Sequence, residues 1–140
     1  MIEEMSPGEI DEFVNDQKVG RVGCHVMGET YVVPVIFAWR DGCFYVYTTE
    51  GKKVEMMRTN AQVCFEVDEY LPGGRWRSVI AQGGYEELHG DGAELALKII
   101  SERFPSSPGA TREDDRGAGR VPVAFRIQVQ GITGRKVERD

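Results

Sequence analysis

Several features that define other protein classes are scarce in this sequence of 140 residues. It holds three cysteines, Cys24, Cys43 and Cys64, and two histidines, His25 and His89. The cysteines are odd in number and form no CxxC pair, so we predict neither a disulfide framework nor a metal site. Neither histidine has the serine or cysteine and acidic partners of a hydrolytic triad. These absences argue against a zinc site of cysteine and histidine ligands and against a hydrolytic triad.

Long apolar runs and a surplus of positive charge are also missing. No stretch of about 18 apolar residues is present, so no membrane span is expected. The first five residues lack the basic and apolar regions of a secretion signal, which favours a cytoplasmic location. The net charge is −6, and an acidic domain gains little from the phosphate backbone of nucleic acid. An anionic ligand must therefore be held by a local basic cluster.

The pattern along the chain predicts one domain over residues 1–140 that is mainly β with α. The motif from Ser6 to Glu9 has the form of a capping box, which predicts a helix start. About six antiparallel strands with short helices imply a small closed or nearly closed barrel. We expect an exposed, mobile loop over 105–119, where apolar residues are almost absent. The predicted helices cover 6–16, 50–60 and 90–104, and the predicted strands cover 19–27, 30–39, 43–48, 61–67, 76–88 and 121–129.

The second predicted strand is apolar on both faces. Tyr31, Val33 and Val35 alternate with Val32 and Ile36, so both faces should leave water. A barrel of one chain covers only the inner face of a strand. Since an exposed apolar face is costly, we predict that a second copy covers the outer one in a homodimer. A helix of the same chain is the other candidate for part of that cover.

The strongest candidate for an anion site lies where the third strand passes into the second helix. Free backbone N–H groups at a helix start attract anions. Thr48 and Thr49 offer hydroxyl groups, and Lys52 and Lys53 offer positive charge in the first helical turn. The same residues are also compatible with an ordinary capped surface helix.

A second basic cluster lies at Arg75, Trp76, Arg77 and Ser78, at the start of the fifth strand. If this strand runs near the start of the second helix, one arginine can join the lysines around a single phosphate. Solvent-facing arginines at a strand end explain the pattern equally well. The sequence alone leaves both readings open.

The order and spacing of four short motifs resemble one known family. The arrangement is similar to the pyridoxamine 5′-phosphate oxidase-like superfamily of split barrels that bind flavin mononucleotide (FMN), especially its nitroimidazole-resistance reductases. The motifs are Tyr31-Val32-Val33-Pro34-Val35, Glu50-Gly51-Lys52-Lys53, Cys64-Phe65-Glu66-Val67-Asp68 and Trp76-Arg77-Ser78-Val79-Ile80.

The resemblance implies a split β-barrel with FMN at a homodimer interface. The isoalloxazine would lie against four residues of the second strand, and the ribityl chain and phosphate would lie beside the residues that precede the second helix. Two lysines would hold the phosphate, and the fifth strand would contribute three residues. In that order the implied positions are Val33, Pro34, Val35 and Ile36, then Tyr47, Thr48 and Thr49, then Lys52 and Lys53, and finally Arg77, Ser78 and Val79.

The resemblance further implies an oxidoreductase that takes a hydride from a reduced nicotinamide and passes electrons to a small acceptor. A flavin carries this chemistry itself, so no acid–base pair has to be visible in the sequence. We expect Trp39, Tyr47 or a residue of the second chain to form the surface on which the acceptor stacks. The alternatives are a deazaflavin-dependent reductase, a flavin-binding sensor or carrier without turnover, and a structural barrel without cofactor.

Overall fold

The computed structural model of the protein describes residues 1–105 and 120–138. The loop predicted at 105–119 lies outside these residues, apart from Pro105. No helix in the described ranges is long and apolar enough to cross a membrane. The strands are β1 (Glu3–Glu4), β2 (Val19–Val26), β3 (Glu29–Ile36), β4 (Ala38–Arg40), β5 (Cys43–Thr49), β6 (Gln62–Leu71), β7 (Arg75–Leu88) and β8 (Pro122–Val137), and the α-helices are α1 (Pro7–Asp16), α2 (Lys52–Thr59) and α3 (Gly90–Arg103).

The predicted capping box at the start of α1 is confirmed. The backbone N–H of Glu9 donates to Ser6 Oγ at 3.2 Å, and the Ser6 N–H donates to Glu9 Oε1 at 2.8 Å. Pro7 occupies the first helical position, where its missing N–H costs no helical hydrogen bond. Ile10, Phe13 and Val14 are the buried residues of this helix, which sets its apolar side against the sheet.

All the strands belong to one antiparallel sheet, which confirms the mainly β fold. The strand order is β3-β2-β6-β7-β8-β5-β4, and β1 pairs with β8. The described residues hold eight strands rather than about six, because β1 is a further two-residue strand and the predicted second strand divides into β3 and β4. Only Phe37 separates these two, which pair at opposite ends of the strand order. One bent segment therefore closes the sheet into a barrel.

Three phenylalanine rings fill the barrel beside this bend. Phe37, Phe44 and Phe65 are each fully buried. The Phe37 ring lies edge-on to both others with centroid distances of 5.3 Å, and Phe44 stacks on Phe65 at 4.0 Å. Edge-on and stacked pairs add to the stabilisation that comes from burial alone. The bend is thus held from inside by aromatic packing.

Helix α3 covers the outer side of β5 and β8. Its buried residues Ala96 and Ile99 pack with Tyr45 of β5 and Ala124 of β8. Arg103 at the end of α3 donates to the backbone oxygen of Asp16 at 2.9 Å, which ties α3 to α1. Part of the outer surface is therefore covered by the same chain.

The outer face of β3, β2 and β7 keeps exposed apolar side chains. Val19 is 49% exposed, Val32 is 60% exposed, Ile36 is 39% exposed and Ile80 is 48% exposed. Ile36 lies directly opposite Val19 in the register of β2 and β3. These four residues are called the outer apolar patch below. Among the described residues, no helix shields this patch from solvent in the way that α3 shields β5.

Gly20 in β2 allows the Phe65 ring to reach its position. A Cβ atom at Gly20 would lie 2.3 Å from Cε2 of Phe65 and 3.1 Å from the backbone oxygen of Glu66. We expect Gly20→Ala to lower the free energy of unfolding by about 1–3 kcal/mol, measured by urea denaturation, because the ring must shift in a packed core. Gly8→Ala is the matched control, since its Cβ would meet nothing within 4 Å.

The structural cause is tested by adding Phe65→Leu to the Gly20→Ala variant. The double variant should lose less stability than the two single losses combined, because the smaller side chain leaves room for the new methyl group. Equal stability of Gly20→Ala and Gly8→Ala would contradict the close approach.

Candidate functional site

Helix α2 begins directly after β5 with an N-terminus that no side chain caps. Its N-cap residue is Gly51, which makes no side-chain cap hydrogen bond. The helix predicted from residue 50 thus begins at Lys52. An uncapped first turn presents backbone N–H groups and the positive end of the helix dipole, which together suit an anion.

The start of α2 is fixed to the hairpin of β2 and β3. The Lys52 ammonium forms an ion pair with Glu29 and lies 4.9 Å from the centroid of the Tyr31 ring. The hydrogen bond with Glu29 raises the pKa of Lys52 above its ordinary value. Lys53 acts on β2: its charge lowers the pKa of the Cys24 thiol, against the larger opposing effect of burial. Both predicted phosphate-binding lysines therefore lie at the same end of β2 and β3.

The three predicted residues of β5 do not face one side. Tyr47 packs against the cluster formed by α3 and β8. Val46 belongs to the barrel core, and Thr48 lies on the same side of the strand because side chains alternate. Thr49, which is buried, shares the side of Tyr47. A ligand that touches all three must contact the backbone or the end of the strand.

The four predicted residues of β3 also divide between two faces. Val33 and Val35 are half-buried and pack against the barrel core. Pro34 and Ile36 point outward and are exposed. An aromatic ring on the outer face would therefore touch the side chains of Pro34 and Ile36, and only the backbone of the other two.

The structure does not bring Arg77 to the lysines within one chain. Glu69 faces Arg77 in the pairing of β6 with β7, and Arg21 near the start of β2 already faces Glu66. Arg77 thus lies beyond the first residue of β2, whereas Glu29, the partner of Lys52, faces Val26 at its last residue. The strand between them spans about 25 Å. The expectation that this arginine and these lysines share one phosphate is wrong for a single chain.

Arg77 instead supports α1. Its guanidinium pairs with Glu69 and lies 4.8 Å from the centroid of the Phe13 ring. Its buried Nε atom has no hydrogen-bond partner among the described residues. Of its two predicted companions, Val79 is fully buried in the core, while Ser78 faces outward beside Asp68. Only Ser78 shares the outer face with Pro34.

Three charged residues interrupt the outer apolar patch. Arg21 Nη1 lies 3.1 Å from Glu66 Oε1 and 3.6 Å from Asp68 Oδ2. One guanidinium thus serves two carboxylates, and Arg21 lies directly opposite Pro34 in the register. Burial, reinforced by the hydrogen bond and charge of Asp68, raises the pKa of Glu66 to about 7, although Arg21 opposes this.

A second charged network, which sequence reasoning missed, surrounds Arg58 near the end of α2. Its guanidinium donates to both Glu50 oxygens at 2.8 and 2.7 Å and to both Glu87 oxygens at 2.7 and 2.8 Å. Tyr85 donates its hydroxyl to Glu87 at 2.8 Å. These hydrogen bonds, Arg58 first, lower the pKa of Glu87 to about 2. Glu50 and Arg58 lie eight residues apart, but Glu87 lies 29 residues beyond Arg58, so no local sequence motif indicates that the three meet.

This network borders a cavity of about 500 Å³ at the start of α3. The cavity has apolar walls from α3 and β8, a carboxylate edge and two aromatic side chains. We call it the α3 cavity. Its lining residues are Tyr47, Glu50, Glu87, Leu88, His89, Gly90, Ala93, Leu97, Val121, Pro122, Val123 and Ala124.

Trp39 and Tyr47, the two residues expected to stack on an acceptor, contact other parts of the chain. The Trp39 indole N–H donates to Asp11 Oδ1 at 2.7 Å, and its ring lies 4.7 Å from that of Phe44. Tyr47 faces the α3 cavity instead of β3. Within residues 1–105 and 120–138, no three His, Cys, Asp or Glu side chains are grouped as metal ligands would be.

Comparison with known proteins agrees with this architecture. The family model of pyridoxamine 5′-phosphate oxidase matches residues 6–136. The chain belongs to this family. The match covers every described α-helix and every strand except β1 and the last residue of β8. It therefore includes the uncapped start of α2 and the outer apolar patch.

Two solved structures of other proteins have the same fold. A FAD-binding protein from Mesorhizobium loti is 33% identical, with a TM-score of 0.79 and coverage of 99% of both chains. A proposed 5-nitroimidazole antibiotic resistance protein from Bacteroides thetaiotaomicron has a TM-score of 0.79 at 21% identity, and the alignment covers 97% of this chain and 87% of the other. At that lower identity the likeness concerns the fold alone.

One curated relative is an uncharacterized protein of Rhizobium meliloti. It is 30% identical over 84 residues, which are 60% of this chain and 56% of the relative. The chain thus matches little more than half the length of that protein.

The raised pKa of Glu66 makes the stability of this protein depend on pH. A pKa raised from 4.5 to about 7 means that the folded state binds more protons than the unfolded state between those values. The free energy of unfolding should therefore fall as pH rises through this window. We expect Glu66→Gln to reduce that fall, measured by urea denaturation between pH 5 and pH 8. Glu94→Gln, at an exposed position of α3, is the control, and identical pH profiles for both variants would contradict the assignment.

Proposed function

We propose that this protein binds a flavin through its FMN portion and transfers electrons from a reduced nicotinamide to a small acceptor. The observation that carries the proposal is the uncapped start of α2, where Lys52 and Lys53 lie against the hairpin of β2 and β3. This arrangement suits a phosphate at one end of an apolar strand surface. The proposal assigns the phosphate to this helix start and the flavin ring to the outer face of β3.

The residues present fit such a ligand at both ends. Backbone N–H groups of the first turn and two ammonium groups can hold a phosphate by charge-assisted hydrogen bonds. The outward side chains of β3 lead from Val32, near the Lys52 end, to Pro34 and Ile36. Their exposed apolar surface matches one face of an isoalloxazine. Arg77 and Val79 are not included, because their side chains face α1 and the core.

The M. loti relative supports a flavin. That protein is FAD-binding and is 33% identical over 99% of both chains. FAD contains the complete FMN moiety, so a site for the flavin and its first phosphate serves either molecule. When bound, a flavin supplies hydride and single-electron chemistry, and the chain's part is to hold the ring and exclude water.

A homodimer is part of the proposal. A flavin ring that lies on β3 of one chain has a second face to be covered. The outer apolar patch of a second copy, packed on the first, would cover that face. An isologous contact brings the same residues of both chains together, so Ile36 and Val32 would contribute from each. The Arg21, Glu66 and Asp68 group would then lie inside or at the rim of the interface.

The dimer interface is tested by charging the outer apolar patch. We expect Ile36→Asp to convert a dimer into a monomer in analytical ultracentrifugation, because a buried unpaired carboxylate opposes association. Leu95→Asp on α3 is the matched control, since Leu95 is 50% exposed but lies off the patch. A wild-type monomer, or a dimer that tolerates Ile36→Asp, would count against this interface.

The flavin site is tested by titrating FMN into the purified protein and following its fluorescence. We expect Lys53→Ala to weaken binding by about 1.5–3 kcal/mol, since a charge-assisted hydrogen bond to phosphate is lost. Lys52→Ala should also weaken binding, because its ammonium lies at the same helix start. Lys98→Ala, exposed on α3, should leave the affinity unchanged. A protein that ignores added FMN would remove the basis of the proposal.

The same preparation separates enzyme from carrier. Under anaerobic conditions a reduced nicotinamide should bleach the visible absorption of the bound flavin, and a small acceptor should restore it. Flavin that binds without bleaching would indicate a sensor or carrier. Tighter binding of a deazaflavin than of FMN would indicate the deazaflavin-dependent alternative.

A further inference from the structure

We infer that the α3 cavity binds the nucleoside of a dinucleotide whose phosphate lies at the start of α2. The inference rests on the proposed function, because it uses the phosphate position assigned there. It adds a second binding site with its own chemistry, on the opposite side of β5 from the barrel core.

The cavity is continuous with the proposed phosphate site along the chain. Glu50 lines the cavity and directly precedes Gly51, the N-cap of α2. Tyr47 lines it from the same strand end. A diphosphate link needs to pass only the end of β5 to join the two sites. This adjacency distinguishes the α3 cavity from the smaller clefts beside α1.

The walls of the cavity suit a base. Leu88, Ala93 and Leu97 provide apolar contact, and Tyr47 and His89 provide flat aromatic surfaces. Bases stack on such side chains with little dependence on their identity. The volume of about 500 Å³ lies within the usual range of small-molecule pockets.

The polar edge of the cavity suits a ribose. Glu50 and Glu87 share the single guanidinium of Arg58, so the three side chains keep one net negative charge. Carboxylates accept hydrogen bonds from vicinal hydroxyl groups and from exocyclic amino groups. An acidic side chain that holds a ribose diol is the arrangement known from dinucleotide-binding folds.

Two molecules carry this nucleoside chemistry. One is FAD, in which the adenosine is attached to the phosphate of the flavin itself. The other is a nicotinamide dinucleotide, which would bring an adenosine together with the hydride. The shared chemistry is an adenosine on a diphosphate, and the binding experiment distinguishes the sources.

The test compares wild type with Leu97→Trp, which fills the cavity, and with Leu95→Trp, which adds the same bulk on the exposed side of α3. Calorimetry measures the affinities for FMN and FAD, and then for NAD⁺ added to the FMN-loaded protein. If the flavin supplies the adenosine, wild type binds FAD at least about tenfold more tightly than FMN. Leu97→Trp then abolishes the difference without changing the FMN affinity.

If the electron donor supplies the adenosine, FMN and FAD bind equally, and Leu97→Trp weakens NAD⁺ binding at least about tenfold. Leu95→Trp should match wild type in every titration. The inference is overturned if Leu97→Trp leaves FAD and NAD⁺ affinities unchanged, or lowers the FMN affinity by the same factor. Thermal unfolding checks that the variants fold, and Ala93→Leu replaces Leu97→Trp if it does not.

These results separate the inference from the proposed function. Normal FMN binding with unchanged FAD and NAD⁺ affinities in Leu97→Trp defeats the α3 cavity assignment alone. Absence of FMN and FAD binding in wild type defeats the flavin proposal and the inference together.

Discussion

The bend at Phe37 is the constraint on which the rest of the structure depends. It lets one segment pair with β2 on one side and with β5 on the other, so the sheet closes. The stacked Phe44 and Phe65 rings hold Phe37 from inside. Closure brings the start of α2 against the hairpin of β2 and β3. The charged and apolar parts of the candidate site are therefore positioned by a fully buried aromatic core.

The charged side chains of this barrel form separate groups at the start of α2, at the end of α2 and beside α1. At the start of α2 a lysine pairs with Glu29, near an uncapped helix end. At the end of α2 one arginine holds two carboxylates. On the opposite side, Arg77 and Lys136 pair with acidic residues and anchor α1. The chain is negative overall, yet these cations of the described residues hold specific paired positions. The lysine at the start of α2 lies beside the free backbone N–H groups of an uncapped helix.

The sequence was informative wherever the decisive interaction is local. The capping box of Ser6 and Glu9, the alternation of β6 and the helix after Gly90 were all predictable, because each depends on residues a few positions apart. The number of short strands already implied a closed or nearly closed barrel, and the family resemblance specified it as a split barrel. The order of Gly51, Lys52 and Lys53 after a strand correctly indicated a helix start with cations, although its first residue was placed two positions early.

What failed depends on register between distant strands. The position of Arg77 relative to Lys52 follows from how β7 pairs with β6 and β6 with β2, and no periodicity within one strand reveals that. The bend at Phe37 could not be predicted from the sequence, because the residues before and after it are apolar and continue the pattern of a single strand. The Arg58 network was missed for the same reason, since Glu50 and Glu87 meet only after β7 and α2 are in place.

The position of β8 has a consequence for how the chain is made. This strand lies between β7 and β5, yet it follows β5 by more than seventy residues in the sequence. During translation β5 and the hairpin partner β4 leave the ribosome long before the strand that joins them to the rest of the sheet. The barrel cannot close on the ribosome until this late segment emerges. Until then the apolar side of β5 stays exposed, and exposed apolar surface in an incomplete chain is what chaperones bind.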